Sequence, residues 1–159
     1  MKYLFLIAII FISTSGYTQD ITYIKEKGYE GYIFPKEHAI WGFPPEKHRY
    51  SPTSDDIKKA EKILKEKICS AYIKQNQKSY KKPPINGKTL KKYTRQYVGY
   101  LTSEGQVLIQ IYLNKGIDLS KEALSEDIIS VQGGGANHCV INVNLSTKEL
   151  SNMHVNGIS

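Results

Sequence analysis

The sequence predicts an α+β domain in which one long helix of the N-terminal half packs on a four- to five-stranded antiparallel meander sheet. Three observations predict it. An apolar stripe at spacings of three and four runs through 53–77. Two stretches of alternating polarity are each closed by a three-residue turn, Ser103-Glu104-Gly105 and Ser146-Thr147-Lys148. Sequential strands joined by short turns need no crossover, which leaves the helix free to cover one apolar face.

The first sixteen residues, MKYLFLIAIIFISTSG, read as an export signal: Lys2, an apolar run over 3–12, and a small polar exit over 13–16. The run is shorter than the roughly 20 apolar residues that span a bilayer. Cleavage is expected between Ser15 and Gln19, which leaves 20–159 as a single globular domain in the periplasm or outside the cell. No cysteine stands in the segment to take a lipid, so no membrane anchor is expected. The chain carries +7 and Lys2 is the signal's one charged residue, so the mature domain carries +6. The lysines are spread over helix and loops, which together with export argues against a nucleic-acid partner.

Within the domain, 20–43 mixes short apolar runs with Gly, Lys and Pro and predicts one or two short strands, ended by an extended turn at Phe43-Pro44-Pro45. Thr53 with Asp56 forms a capping pair, and acids occupy the first turn of the helix. The helix then runs to about Gln77 with Ile57, Ala60, Leu64, Ile68, Ala71 and Tyr72 as its buried stripe. The lysine- and proline-bearing stretch 78–92 reads as an exposed basic loop around Asn86-Gly87. Strands follow over 93–102 and 106–114, with Val107, Ile109, Ile111 and Leu113 toward the helix. After a polar connection come a short strand over 127–132, a glycine turn at 133–135, and a second hairpin over 137–145 and 149–155. In that hairpin Cys139, Ile141, Val143 and Leu145 share the helix side.

The stretches KYTRQYVGYLTSEGQVLIQIYLN (92–114), Gly133-Gly134 to Val143 and Val155-Asn156-Gly157, with the helix start over 51–61, resemble a group of small exported Bacteroidetes proteins that have no assigned function. A helix followed by a curled sheet is also similar to cystatin-like and NTF2-like folds, a likeness of architecture that implies no single activity.

The triple glycine lacks the following helix start that a phosphate cradle needs and reads as a turn. Cys69 and Cys139 form a possible disulfide after export, or remain two small thiols. His138 and His154 fall opposite or diagonal on the outer face with no third ligand in view, so neither metal nor cofactor is expected. That face also carries Val98, Tyr100, Leu108, Tyr112, Val140 and Leu150. Either the segment around 32–41 folds over it, or it is a contact surface. The resulting expectation is an exported, non-enzymatic binding domain. It would hold a protein or glycan partner, inhibitor-like among other forms, through Tyr100, Tyr112, His138, Asn142, Asn152 and His154. The alternative is a hydrolase or isomerase of NTF2-like shape, with Arg95, Tyr97 and an acid such as Asp127 converging in a cavity between helix and sheet. Oligomeric state is open.

Overall fold

The computed structural model describes residues 20–40, 48–75, 83–116 and 120–157. The expected export signal, the expected turn at Phe43-Pro44-Pro45 and the start of the expected basic loop lie outside them. Strands β1 (Thr22–Glu26) and β2 (Tyr29–Phe34) form a hairpin, followed by the two-residue β3 (Arg49–Tyr50) and helix α1 (Ser54–Gln75). Strands β4 (Thr94–Leu101) and β5 (Val107–Asn114), helix α2 (Lys121–Glu126), and strands β6 (His138–Asn144) and β7 (Leu150–Val155) complete the chain. No helix among the described residues is long and apolar enough to cross a membrane.

The chain is α+β with one main helix, but its sheet has seven strands and is mixed. The order is β1-β2-β4-β5-β6-β7, with β3 pairing the far end of β4. The antiparallel meander holds from β4 to β7. The lead-in hairpin, however, docks on the other edge of β4, and β2 runs parallel to it with Gly31 opposite Arg95. Parallel neighbours need a long crossover, and α1 supplies it. No strand forms over 127–132.

The helix starts as the sequence indicates. Thr53 Oγ1 accepts from the Asp56 amide at 3.2 Å, and Asp56 Oδ2 accepts from the Thr53 amide at 3.1 Å. Tyr50 adds its hydroxyl to the same Asp56 oxygen at 2.8 Å. Ile57, Ala60, Leu64, Ile68 and Tyr72 are buried against Tyr97, Ile109, Ile111, Leu113, Cys139, Ile141 and Val143. Each such aliphatic side chain contributes roughly 1.5–3 kcal/mol on burial. Gly105 takes the left-handed φ of 76° that the β4–β5 turn requires.

A bulge in β7 shifts the last pairing, so that Val140 faces His154 but Asn142 faces Ser151, with Asn152 at φ 47°. The extra residue turns Leu150 onto the helix side, where it packs on the core, rather than onto the outer face. The outer face has its own apolar cluster of Tyr32, Phe34, Ile40, Val98 and Leu124, with Tyr100, Tyr112, Ile128 and Ile129 packed against it. The N-terminal segment and α2 with its following residues therefore cover that end together.

Gly31 sets how closely β2 approaches β4. A methyl there would collide with the main-chain carbonyl oxygen of Arg95, an atom the sheet does not let move. Gly31→Ala is expected to lower the unfolding free energy by about 1–3 kcal/mol, as overpacking does elsewhere. Urea denaturation reads it, and an unchanged midpoint would show that β2 yields.

Candidate functional site

A cavity of about 900 Å³ opens at one end of the seam between α1 and the sheet. Three segments build it. The β1–β2 turn and the start of β2 bring Lys27, Gly28 and Tyr29; one flank of α1 brings Lys58, Glu61, Lys62 and Lys65; and the 83–92 segment brings Gly87, Lys88, Leu90 and Lys91. Arg95 of β4 lies at its inner end.

The 83–92 segment departs from the exposed loop that the sequence suggested. Ile85 and Leu90 are buried in the main core. Asn86 Oδ1 accepts from the amides of Lys88 and Thr89 at 3.0 and 3.2 Å, while Thr89 Oγ1 accepts from the Asn86 amide at 2.9 Å. This closed Asx turn holds Lys88 and Lys91 at the cavity rim. Lys58 pairs with Glu26 at 3.6 Å. Lys27, Lys62, Lys65, Lys88 and Lys91 are exposed and enter none of the ion pairs among the described residues.

Among the described residues the one carboxylate of the lining is Glu61. Its Oε1 accepts from Arg95 Nε at 3.1 Å and from the Tyr97 hydroxyl at 3.0 Å, and its Oε2 accepts from Arg95 Nη2 at 3.4 Å. The guanidinium also donates from Nη1 to the Tyr93 carbonyl and from Nη2 to the Gly28 carbonyl at 3.4 Å. Its Cζ lies 5.9 Å from the Tyr29 ring centroid. The side chains of Arg95 and Glu61 are 1% and 7% exposed. Burial pushes the Glu61 carboxyl above its ordinary range even against the pull of Arg95 and Tyr97. Burial likewise pushes the Tyr97 phenol well up, which keeps it a neutral donor.

Arg95 and Tyr97 thus converge with an acid between helix and sheet, Arg95 and the acid lining the cavity and Tyr97 lying in the core behind them, and the acid is Glu61 rather than Asp127. Asp127 is exposed on the other side of the sheet, where its carboxylate caps the Ile128 amide at 2.7 Å. A signal for Glu61 exists in the sequence: it stands four residues after Ile57 and three before Leu64, on the edge of the apolar stripe. An acid in that position needs a cation from the facing strand.

The six outer-face residues do not form one surface. The Tyr100 and Tyr112 hydroxyls both donate to Gln110 Oε1, at 3.0 and 3.1 Å, and burial pushes both phenols up. His138 is buried, with Nδ1 3.0 Å from Asn114 Oδ1. Asn114 donates its Nδ2 to Gln96 Oε1 at 3.5 Å, so its Oδ1 is the acceptor and His138 Nδ1 carries the proton. His138 Nε2 is then a bare acceptor, buried without a partner among the described residues. Asn142 Oδ1 is buried unpartnered as well. Asn152 and His154 are exposed, Asn152 at the β7 bulge and His154 opposite Val140. Among the described residues no group of His, Cys, Asp and Glu is placed to hold a metal.

Cys69 and Cys139 are free thiols, Cys69 half-buried and Cys139 buried. Burial pushes the Cys139 thiol up to about 12, the state of an inert core residue. Gly133, Gly134 and Gly135 all take positive φ and lead through a single 3-10 turn into β6. A methyl on Gly134 would come 2.9 Å from His138 Cδ2, so the glycines let the loop close over the imidazole.

Burial also lowers the proton affinity of His138. The unfolded chain therefore takes up this proton first as pH falls below the ordinary value of 6.5, and the folded state loses stability. Stability is complete above that value and declines below it, down to the depressed folded pKa. Urea midpoints of wild type and His138→Gln at pH 7.5 and 5 check this, and the variant is expected to lose part of the drop. An identical drop in both would remove His138 as its source.

Compared with known proteins, the chain matches no family model, no curated protein and no solved structure.

Proposed function

We propose that this is a small exported binding domain that captures an anionic ligand in the cavity between α1 and the sheet. One observation carries the reading: a cavity of about 900 Å³, within the size range of ligand sites, is lined among the described residues by six lysines and an arginine against a single carboxylate. That carboxylate is already engaged by Arg95, so the excess of positive charge faces the opening. Low-dielectric walls around charges of one sign raise the local concentration of the opposite ion. Tyr29 and Leu90 add an apolar wall on which the body of a ligand can rest.

A hydrolase or isomerase would use the same cavity. Capture is the better reading because the Glu61 carboxylate is held in a buried ion pair with Arg95 and also accepts from the Tyr97 hydroxyl, which makes it the partner of Arg95 rather than a general base for a substrate.

Calorimetric titration with pyrophosphate tests the proposal. Replacing Lys88 and Lys91 together by glutamate turns two screened attractions of about 1 kcal/mol each into repulsions, so affinity is expected to fall at least about tenfold. Both side chains are exposed, and the melting temperature should hold. Binding that ignores both this variant and the salt concentration would overturn the reading.

A further inference from the structure

We infer that the cavity binds its anion together with one proton: an oxygen of the ligand takes the Nη2 edge of Arg95 while Glu61 accepts a proton from solvent at Oε2 and gives up that edge. The inference rests on the reading of the cavity as an anion site and names how that site is regulated.

Arg95 is the one guanidinium of the lining, and its three nitrogens are held unequally. Nε is 3.1 Å from Glu61 Oε1, and Nη1 donates to the Tyr93 carbonyl; both bonds are buried. Nη2 instead reaches Glu61 Oε2 and the Gly28 carbonyl at 3.4 Å each, longer than the usual N–H···O range of about 2.7–3.2 Å. The Glu61 contact of Nη2 is buried as well, but its Gly28 contact is only part-buried and Gly28 lines the cavity, which makes Nη2 the nitrogen best placed to meet a ligand.

Glu61 shows the matching asymmetry. Oε1 accepts two hydrogen bonds near 3 Å, from Arg95 Nε and the Tyr97 hydroxyl, whereas among the described residues Oε2 has only the long contact. A proton can therefore settle on Oε2 while Oε1 keeps the carboxyl group in place. Burial already favours the protonated form. Once it forms, the Arg95 charge is no longer neutralised, and it draws an anion more strongly in a partly dry site.

The groups facing Glu61 are Arg95 and Tyr97 from β4, Tyr29 from β2, and Lys58, Lys62 and Lys65 from its own helix. Lys27 stands on the β1–β2 turn, and Lys88 and Lys91 on the 83–92 segment. Lysine, arginine and tyrosine side chains ordinarily keep one charge state between about pH 5.5 and 8. Among the described residues no histidine lines the cavity. Glu61 is thus the group in the site whose charge a shift toward acid would change.

Inorganic sulfate is the suitable probe, because its own charge is constant over that range. Titration calorimetry of the full chain should show affinity rising as pH falls, by up to about tenfold per pH unit where Glu61 titrates. Heats compared across buffers of different ionisation enthalpy should show up to one proton taken up per sulfate. Glu61→Gln, which mimics the protonated carboxyl, should bind at least as tightly at pH 7.5, with no pH slope and no proton uptake. Where that variant does not fold, the proton count on wild type decides. Sulfate binding with a flat pH profile and no proton uptake would overturn the inference and leave the anion site standing. No binding of either sulfate or pyrophosphate at any pH would overturn both.

Discussion

Glu61→Ala is expected to lower the unfolding free energy by about 3–5 kcal/mol, the cost of leaving one half of a buried ion pair without its partner. Arg95, 1% exposed, would keep its charge with the carbonyls of Tyr93 and Gly28 and the Tyr29 ring to face but no carboxylate. The Tyr97 hydroxyl, fully buried, would lose its acceptor. Replacing both partners, as Glu61→Leu with Arg95→Met, should recover most of the loss, because apolar side chains of similar volume often serve as well as a buried pair. The direction of the Glu61 shift agrees. Its folded pKa is raised, so the folded state binds the proton more readily, and the carboxyl's contribution to stability declines as pH rises through that folded value. Urea denaturation of the two variants decides the matter. A single variant within 1 kcal/mol of wild type would mean that water reaches Arg95 and that the pair is not enclosed.

The second large effect lies on the opposite face of the sheet. Gln96 is fully buried, and its side-chain amide joins the residues around α2 to the strands. Nε2 donates to the Leu124 and Asp127 carbonyls, both at 2.8 Å, while Oε1 accepts from the Ile129 amide at 2.9 Å. Gln96→Ala would remove these three bonds at once, together with the long donation from Asn114 Nδ2 to Oε1 at 3.5 Å. With about 1–3 kcal/mol for each buried group left unpaired, and partial rescue by water at the exposed Asp127, the expected loss is about 2–4 kcal/mol. The Ile129 amide should then exchange with deuterium faster than the β4 and β5 amides. Unchanged protection at Ile129 would show that apolar contacts of Leu124, Ile128 and Ile129 hold the segment without the amide.

The two sites differ in how far the sequence shows them. Arg95 and Tyr97 are legible as inward-facing polar residues of a strand, and the cavity falls between helix and sheet as the enzyme-like alternative required. The acid beside them was open, with Asp127 as one example; it is Glu61, and 127–132, expected as a strand, is irregular with the Asp127 carbonyl meeting Gln96. The outer face carries both alternatives of the sequence reading in part, since the segment that includes Ile40 covers one end of it while Asn152 and His154 are exposed. Alternation correctly places Tyr100, Tyr112 and His138 on that face, but it says nothing of what lies over it. The covering segment comes from two distant parts of the chain, Ile40 and Leu124 among them.

By itself the sequence determined what depends on neighbours in the chain. The Thr53–Asp56 cap, the apolar stripe of α1, the left-handed Gly105 and the alternation of β4, β5 and β6 are each settled within a few residues, by hydrogen-bond reach or side-chain period. Only the tertiary structure decided that β2 lies parallel to β4, that the β7 bulge turns Leu150 inward, and that Glu61 meets Arg95 across 34 positions. Those outcomes depend on which edge of β4 is free, how closely Gly31 lets a strand approach, and which buried charges must find each other. Such conditions compare distant segments of the chain, and no local pattern encodes them.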